Sequence, residues 1–341
     1  MDKYFYFDDI FQDYTKYSLK IPKNMYLKSG LYPIIDQGKE EIAGYSDKNI
    51  NIFDKIPVII FGDHTRIFKY VDYPFFLGAD GVKILKNTSS LFLDKYLYYS
   101  LKNFKIPNTG YNRHFKWLKD FKIKHISLAK QEKIVSLIEK IEYFILKKKE
   151  QLKYLKKLNK SLFTRMFGDI KTNNKNWEIN YWKDVLNIKN GKNQKQVEDK
   201  NGKYPIYGSG GIIGYSNAYI CNENTIIIGR KGNINKPILV KEKFWNVDTA
   251  FGLETKRDKI SYYYLYYFCL FYNFEIHNKA VTIPSLIKSD LEKILLPVPP
   301  IELQNKFAKK IEKIEKLSFE IEKSIKEAEN LYNSLINKYF E

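Results

Sequence analysis

The sequence predicts an α+β chain that contains two tandem copies of a mixed α/β domain, each followed by a long helix. A ten-residue pattern that occurs twice, shorter matches in the same order in both halves, and two heptad patterns lead to this prediction. The domains are expected at residues 1–128 and 169–300, and the helices at 129–168 and 301–341. The two helices are expected to pair with each other as a coiled coil within the chain.

The internal repeat is the first of these observations. The pattern L-x-x-S-L-x-x-x-x-F occurs at 158–167 and again at 331–340. Before it, both halves contain YPI, then GYS, then a β-branched run that ends in glycine, then YLYY. A single match could arise by chance, but the shared order indicates a duplicated unit of about 170 residues.

Each copy has the signals of short strands and one aromatic helix. The runs VIIFG at 58–62 and TIIIG at 225–229 are typical of buried strands. The segments YLYY at 96–99 and 264–267 favour an amphipathic helix. The polar tract KTNNKNWEIN at 171–180 is expected to link the first long helix to the second domain.

Apolar residues recur at alternating steps of four and three in both long helices, which is the heptad pattern of a coiled coil. Gly168 is well placed to end the first helix, while Lys148, Asn159 and Ser318 interrupt the apolar seams. The residues predicted to pair the helices are Ile134, Ile138, Ile141, Leu152, Leu155, Leu162, Phe307, Ile311, Ile314, Ile321, Ile325 and Leu335.

The formal net charge of +19 favours a polyanionic partner, with nucleic acid ahead of an acidic membrane surface. A lysine-rich genome would explain part of the lysine excess but not the net sign. The basic run KKKEQLKYLKK at 147–157 has two interpretations. It is either a solvated helix face or a contact for phosphates or an acidic protein.

The cellular compartment is expected to be the cytoplasm. Cys221 and Cys269 lack the spacing of a disulfide framework or a zinc site, which fits a reducing environment. The N-terminal MDKYFYFDDIF does not have the layout of a signal peptide. The longest apolar run, 262–274, is too short to span a bilayer, so no membrane association is expected.

Catalytic motifs are absent from the sequence. The four histidines are scattered, and no P-loop, dinucleotide fingerprint or nucleophile elbow occurs. The PVPP at 297–300 is not the Asn/Asp-Pro-Pro-aromatic motif of amino-methyltransferases. We therefore expect no catalytic residues and no metal site, and a chain that binds rather than catalyses.

The repeat with its closing helices resembles the specificity subunit of a Type I restriction–modification enzyme, and the resemblance covers essentially the whole chain. Its most specific piece is LEKILLPVPPIELQNKFAKKIEKIE at 291–315, which is similar to the family's strand, Pro-rich turn and Glu-x-Gln helix start. The run WEINYWKDVLNIKNGK at 177–192 resembles the start of a target recognition domain. The first copy departs from the pattern, because its turn ISLAKQEKI at 126–134 has no proline and its N-terminus starts late. A trimmed first domain is expected.

The resemblance implies a mechanism. Each target recognition domain would read one half of a bipartite, asymmetric sequence in double-stranded DNA. The two helices would pack antiparallel and set the number of unread base pairs between the halves. Two modification subunits would dock on the chain, carry S-adenosylmethionine and methylate an adenine in each half, so the chain itself would hold no cofactor. Restriction subunits, where present, would add ATP-driven translocation and cleavage.

Side chains with paired donors and acceptors in loops beside the predicted strands are the candidates for DNA contact. The candidates in the first copy are His64, Arg66, Lys69, Asn112, Arg113, His114 and Lys116. The candidates in the second copy are Lys192, Gln194, Lys195, Arg230, Lys231, Asn233, Lys279 and Thr282. The alternative for each of them is a solvated loop residue without a ligand.

Three other functions remain open from the sequence. The first is the specificity chain of a related Type II system with the same layout, which would differ in its partner. The second is a free-standing enzyme, which the missing methyltransferase and nuclease motifs disfavour. The third is a repeat scaffold without nucleic acid, which would lack the salt-dependent DNA binding that phosphate contacts produce.

Overall fold

The computed structural model describes residues 3–78, 81–256 and 258–340. They form two compact units, of which one is Met1–Lys148 with Ser324–Glu341 and the other is Lys149–Lys323. Each unit therefore contains one globular domain, a part of the first long helix and a part of the second. The division falls inside the helices because each helix part packs on the domain of its own unit.

The first domain precedes a long helix that runs from Leu128 to Phe167. Its strands are β1 (Tyr4–Tyr6), β2 (Phe11–Asp13), β3 (Tyr32–Ile35), β4 (Gly44–Ser46), β5 (Val58–Gly62), β6 (Phe68–Val71), β7 (Phe76–Leu77), β8 (Val82–Asn87) and β9 (Lys122–Lys124). Its helices are α1 (Phe7–Ile10), α2 (Asp94–Asn103) and the long α3 (Leu128–Phe167), with 3₁₀ turns at Thr15–Tyr17, Lys23–Met25 and Phe115–Asp120.

The second domain has the same succession of elements. Its strands are β10 (Glu178–Tyr181), β11 (Leu186–Asn190), β12 (Tyr204–Gly208), β13 (Gly211–Ser216), β14 (Thr225–Gly229), β15 (Ile238–Val240), β16 (Trp245–Asn246), β17 (Ala250–Thr255) and β18 (Leu295–Val298). Its helices are α4 (Trp182–Val185), α5 (Tyr262–Phe271), α6 (Lys288–Leu291) and the long α7 (Ile301–Phe340), with a 3₁₀ turn at Phe274–His277.

The sheet topology confirms the duplication. The order β2-β8-β5-β6 in the first domain matches β11-β17-β14-β15 in the second. A second sheet, β4-β3-β7, matches β13-β12-β16, and the antiparallel pair β1-β9 matches β10-β18. Every residue of β5 and of β14 is buried, as the two β-branched runs predicted. The predicted α+β fold class is thereby confirmed.

The repeated ten-residue pattern ends in a phenylalanine that packs on an aromatic helix. Phe167, at the end of α3, contacts Tyr264 of the second domain with ring centroids 4.8 Å apart. Phe340, at the end of α7, contacts Tyr96 of the first domain at 5.3 Å. Tyr96 and Tyr264 both open a YLYY segment. Each long helix therefore ends on the domain that belongs to the other copy, which explains why the pattern occurs twice.

The long helices pack together in an antiparallel sense, as predicted. In the unit of the first domain, Ile134 and Ile138 near the start of α3 lie in the same apolar cluster as Tyr332 and Ile336 near the end of α7. In the other unit, Phe163 near the end of α3 contacts Phe307 near the start of α7. None of the described helices has the combination of length and apolar character that a membrane span requires.

The predicted seam residues are all buried or half-buried, but they do more than pair the helices. Ile134 and Ile138 belong to the core of the first domain, and Phe307 and Ile311 belong to the core of the second. The heptad analysis missed Phe163, which is fully buried in the second core. The apolar faces of the helices therefore also anchor the domains.

A buried glutamine joins the first domain to its long helix. The side chain of Gln131 donates from Nε2 to the carbonyl oxygens of Leu91 and Ile126, both at 2.8 Å. Its Oε1 accepts from the backbone N–H of Leu93, the residue that caps α2, at 2.8 Å. One side chain thus connects α3, the turn before it and the start of α2.

Gln304 makes the same three bonds in the second copy. Its Nε2 donates to the carbonyl oxygens of Pro299 at 2.7 Å and Lys259 at 3.1 Å, and its Oε1 accepts from the N–H of Ser261 at 2.8 Å. Ser261 caps α5, the counterpart of α2. Both glutamines are completely buried, so these bonds give the side-chain amides the partners that buried polar groups need.

The segment between α3 and the second domain is folded. Gly168 has a φ of +83°, and its N–H donates to the carbonyl of Thr164 at 2.8 Å, which closes the helix in the way that glycine commonly does. The indole N–H of Trp177 donates to the carbonyl of Phe167 at 2.8 Å. The side-chain amide of Asn173 donates to the carbonyl of Trp177, and its Oδ1 accepts from the N–H of Trp177. The predicted linker is therefore a rigid turn.

We predict that Gln304→Leu lowers the free energy of unfolding by about 2–5 kcal/mol, because three backbone groups lose their bonds to a completely buried side chain. Urea unfolding followed by tryptophan fluorescence measures the change, since Trp182 is buried in the affected domain. The matched control is Asn305→Leu at the next, exposed position, with an expected change within about 0.5 kcal/mol. Equal effects of the two variants would contradict the role given to Gln304.

Candidate nucleic-acid interface

The two predicted DNA-contacting loops of the first copy meet at one place. The N–H of His114 donates to the carbonyl of Asp63 at 2.8 Å, and the N–H of Phe115 donates to the Asp63 carboxylate at 2.7 Å. The rings of His64 and Tyr111 stack with centroids 4.7 Å apart and planes 10° apart. Residues 62–67 after β5 and residues 108–116 therefore form one surface, called here the first loop cluster.

The first loop cluster presents amide and cationic side chains. Asn112, Arg113 and Lys116 are exposed, while His64 and Arg66 are half-buried. Arg66 has a φ of 60°, and its guanidinium donates to the carbonyl of Ile106 at 3.4 Å. A left-handed conformation is uncommon for a non-glycine residue, and such residues are enriched in functional loops.

Two of the predicted contacts in the first copy point inward, which corrects the sequence-based prediction. Lys69 is only 4% exposed, and its ammonium donates to the carbonyl oxygens of Asp36 at 2.8 Å and Glu40 at 2.5 Å. Burial lowers the pKa of Lys69. His114 is fully buried, and its Nδ1 lies 2.9 Å from the carbonyl of Asp63. Both side chains fix loops instead of facing a ligand.

The second copy brings its loops together through equivalent backbone bonds. The N–H of Arg230 donates to the carbonyl of Thr249 at 2.8 Å, and the carbonyl of Arg230 accepts from the N–H of Leu286 at 2.9 Å. In the first copy, Asp63 bonds in the same way to Gly81 and His114. The segment 278–286 of the second domain therefore corresponds to 108–114 of the first.

The loop after β11 packs on residues 245–247, shortly before Thr249, which is the backbone partner of Arg230. The N–H of Lys192 donates to the carbonyl of Asn246 at 2.8 Å, and the indole of Trp245 donates to the carbonyl of Lys192 at 3.0 Å. Gly191 is needed here, because a Cβ at this position would lie 1.8 Å from the carbonyl oxygen of Val247. Residues 191–198, 229–236 and 277–286 form what we call the second loop cluster.

Most predicted side chains of the second loop cluster are exposed to solvent. They are Lys192, Lys195, Arg230, Lys231, Asn233, Lys279 and Thr282, whereas Gln194 is half-buried. The guanidinium carbon of Arg230 lies 5.9 Å from the ring centre of Phe251. Lys279 forms an ion pair with Asp290 at 2.6 Å, and the hydrogen bond from Lys279 lowers the pKa of Asp290. The charge of Lys279 is therefore partly compensated.

The two clusters differ at their central position. Asp63 of the first copy is 4% exposed and accepts a bond inside the domain, whereas Arg230, at the equivalent place, is exposed. The same backbone frame thus presents different chemistry in each copy. No group of His, Cys, Asp or Glu side chains suited to a metal ion occurs in the part of the chain that the structure describes.

Sequence reasoning missed the apolar side chains at the tips of both clusters. Tyr111 is 87% exposed, and Val281 is exposed at 104% of its reference area. Ile283, close to Val281, is 59% exposed. Large apolar residues inside polar loops were the available signal, but only the fold shows that these residues lie on the surface.

Comparisons with known proteins show what this chain is similar to. A family described as the Type I restriction modification DNA specificity domain matches residues 174–329. The second domain and most of α7 thus carry such a specificity domain, and the family resemblance predicted from the sequence is confirmed.

Individual relatives agree with this class. The chain is 26% identical over 210 residues to the specificity subunit of the Type I restriction enzyme EcoR124I/EcoR124II of Escherichia coli, covering 58% of this chain and 46% of that protein. It is 25% identical over 228 residues to the MjaIX specificity subunit of Methanocaldococcus jannaschii, covering 56% and 53%. The chain spans about half the length of these curated relatives.

A solved structure has the same fold along the whole chain. The S subunit of a Type I restriction–modification system from M. genitalium superimposes with a TM-score of 0.69 at 19% identity. The match covers 100% of this chain and 96% of that one. The first domain, which lies outside the family match, thus shares the fold of a specificity subunit.

We predict that Lys69→Met destabilises the protein by about 1.5–3 kcal/mol, because the carbonyl oxygens of Asp36 and Glu40 lose a buried, charged donor. The matched control is Lys116→Met, an exposed lysine of the same domain, with an expected change within about 0.5 kcal/mol. Thermal and urea unfolding of the full chain provide the comparison. If Lys69→Met unfolds like the wild type, the ammonium does not hold the loop at Asp36 and Glu40.

Proposed function

We propose that this chain is the DNA-recognition subunit of a Type I restriction–modification system and that each loop cluster reads one half of a bipartite sequence. The observation that carries the proposal is the convergence of separate loops in each domain onto one exposed basic surface. Asp63 and Arg230 organise the two surfaces through equivalent backbone bonds. A chain with a net charge of +19 and two such surfaces is suited to double-stranded DNA.

The side chains of the two clusters match the requirements of base reading. Arginine forms a two-pronged contact with guanine, and asparagine or glutamine does so with adenine in the major groove. Arg113 and Asn112 offer this chemistry in the first cluster, and Arg230 and Asn233 offer it in the second. Lys116 and Lys231 supply charge for phosphates.

The proposed target is asymmetric because the clusters differ at equivalent positions. Arg230 can read a guanine in the second half-site, whereas the first domain has the buried Asp63 there. A chain that reads two different halves has no need of a palindrome. The central difference between the clusters therefore supports a bipartite, non-palindromic sequence.

The long helices are proposed to fix the spacing between the half-sites. Helices α3 and α7 each contain 40 residues, which gives a length of about 60 Å. Their antiparallel packing is the feature proposed to keep this spacing constant. Half-site spacing is a geometric property of a rigid recognition protein.

The proposed partners are two modification subunits that hold S-adenosylmethionine and methylate adenine, with or without restriction subunits. The chain would supply recognition and no catalytic groups, and it would act in the cytoplasm, where the DNA is. Exposed apolar residues on the long helices, including Leu137, Phe144, Leu317 and Leu331, are available for docking proteins. Leu137 and Phe144 are seven residues apart and so lie on one helix face.

We predict that Arg230→Ala relaxes the sequence requirement at one position of the second half-site and leaves the first half-site unchanged. Losing a two-pronged guanine contact costs about 1–3 kcal/mol of discrimination. The measurement is a map of N6-methyladenine in cells that express the variant with its modification subunits. Arg230→Lys should also relax the position, because lysine keeps the charge without the planar fork.

The control for lost charge is Lys200→Ala, an exposed lysine in a turn outside the second loop cluster. This variant should keep the complete motif. If Arg230→Ala altered the first half-site, the assignment of one domain to one half would be wrong. DNA binding by the wild-type chain that did not weaken with rising salt would instead favour a scaffold without nucleic acid.

A further inference from the structure

The apolar tips of the two loop clusters have no role in the function proposed so far. Val281 and Tyr111 are the two most exposed large apolar side chains within the described ranges, at 104% and 87%. They lie in the equivalent loops 278–286 and 108–114. The last residue of each loop, Leu286 or His114, donates its N–H to the central residue of its cluster, Arg230 or Asp63. Two extreme exposures at matched places in duplicated domains indicate a shared purpose.

The first tip is a two-ring stack with one free face. One face of the Tyr111 ring lies parallel to the His64 ring. The backbone N–H of His64 donates to Oε1 of Gln37 at 3.2 Å, which ties down the loop that carries the ring. The exposure of 87% means that solvent covers the rest of the Tyr111 ring. A flat aromatic face that ends in water is suited to stacking on a base.

The second tip is aliphatic. Val281 projects completely into solvent, and Ile283 in the same loop is 59% exposed. Branched aliphatic side chains of this kind are used as wedges between base pairs, where they unstack a step without reading it. The two domains thus present different side chains of the same physical type.

The polar and cationic groups around the tips favour a polyanion as the ligand. Asn112 and Arg113 follow Tyr111 directly in the sequence. The loop of Val281 lies against residues 230–232, because the N–H of Leu286 donates to Arg230 and the N–H of Gly232 donates to Pro284. A protein partner would call for a broad apolar patch, whereas each tip is a small apolar point among polar and cationic groups. The interior of a duplex combines apolar base faces with a phosphate rim, which matches this arrangement.

We propose that Tyr111 and Val281 insert at a base step in their respective half-sites and unstack it. The proposal rests on the proposed DNA-recognition function and adds a mechanical step to it. An adenine must leave the stack before a methyltransferase can reach its amino group. Unstacking by the tips would lower the cost of this step for the modification subunits.

The test uses the full chain with its modification subunits and duplexes that carry the motif mapped for the wild type. 2-Aminopurine, which brightens when unstacked, replaces one base at a time in each half-site. Tyr111→Ala should reduce the fluorescence rise several-fold in the first half only, and Val281→Ala in the second half only. Tyr111→Phe should keep the wild-type signal, because the ring is retained.

Matched controls and a rescue separate unstacking from ordinary contact. Leu31→Ala and Ile213→Ala remove apolar side chains that are 71% and 55% exposed elsewhere in the first and second domains. Both variants should leave the fluorescence signal unchanged. A mismatch placed at the brightened step should restore methylation by Tyr111→Ala, since the duplex is already open there.

Three results would decide the matter. Loss of signal with rescue by the mismatch supports the proposal. A wild-type complex that methylates its motif while fluorescence stays flat at every position overturns the wedge and leaves the recognition function intact. A wild-type complex that neither binds DNA nor methylates a chain-dependent motif overturns the proposed function itself.

Discussion

The buried glutamine at the start of each long helix is the interaction on which the rest of the structure depends. Gln131 and Gln304 are completely buried, and each bonds two backbone carbonyls and one backbone N–H. They fix the cap of α2 or α5 relative to the long helix, and α2 and α5 in turn carry Tyr96 and Tyr264. Those tyrosines receive Phe340 and Phe167 from the ends of the long helices. A local hydrogen-bond set thereby determines how a helix joins a domain at both of its ends.

The buried strands of each domain fix the positions of the loop clusters. The central strands β5 and β14 are buried along their whole length, so the loops that follow them start from fixed points. Asp63 and Arg230 then hold the neighbouring segments through the same backbone bonds in both copies. In the proposed function, an unchanged backbone frame with different side chains would let the two duplicated domains read different sequences. The buried Asp63 and the exposed Arg230 are the clearest instance in this chain.

Features set by local spacing could be predicted from the sequence, and features set by distant partners could not. The duplication, the strands at 58–62 and 225–229 and the pairing of the long helices all follow from order and periodicity, whereas the convergence of the loops on Asp63 and Arg230 was not predicted. Lys69 and His114 were wrongly expected to face a ligand, because the carbonyls that hold them belong to residues far away in the sequence. The exposure of Tyr111 and Val281 was missed because residues of these types are more often buried than exposed. The core role of Phe163 also depends on a contact with another element.

The central claim is that each domain reads one half of one DNA sequence, and a methylation map tests it most directly. The chain is expressed with its modification subunits in a host that lacks this activity, and N6-methyladenine is mapped by single-molecule sequencing with and without the chain. A second map uses a chimera in which residues 169–300 come from another specificity subunit. The account predicts a bipartite motif that requires the chain, and a chimera that changes only one half of that motif. A motif that persists without the chain, or a chimera that alters both halves, would contradict it.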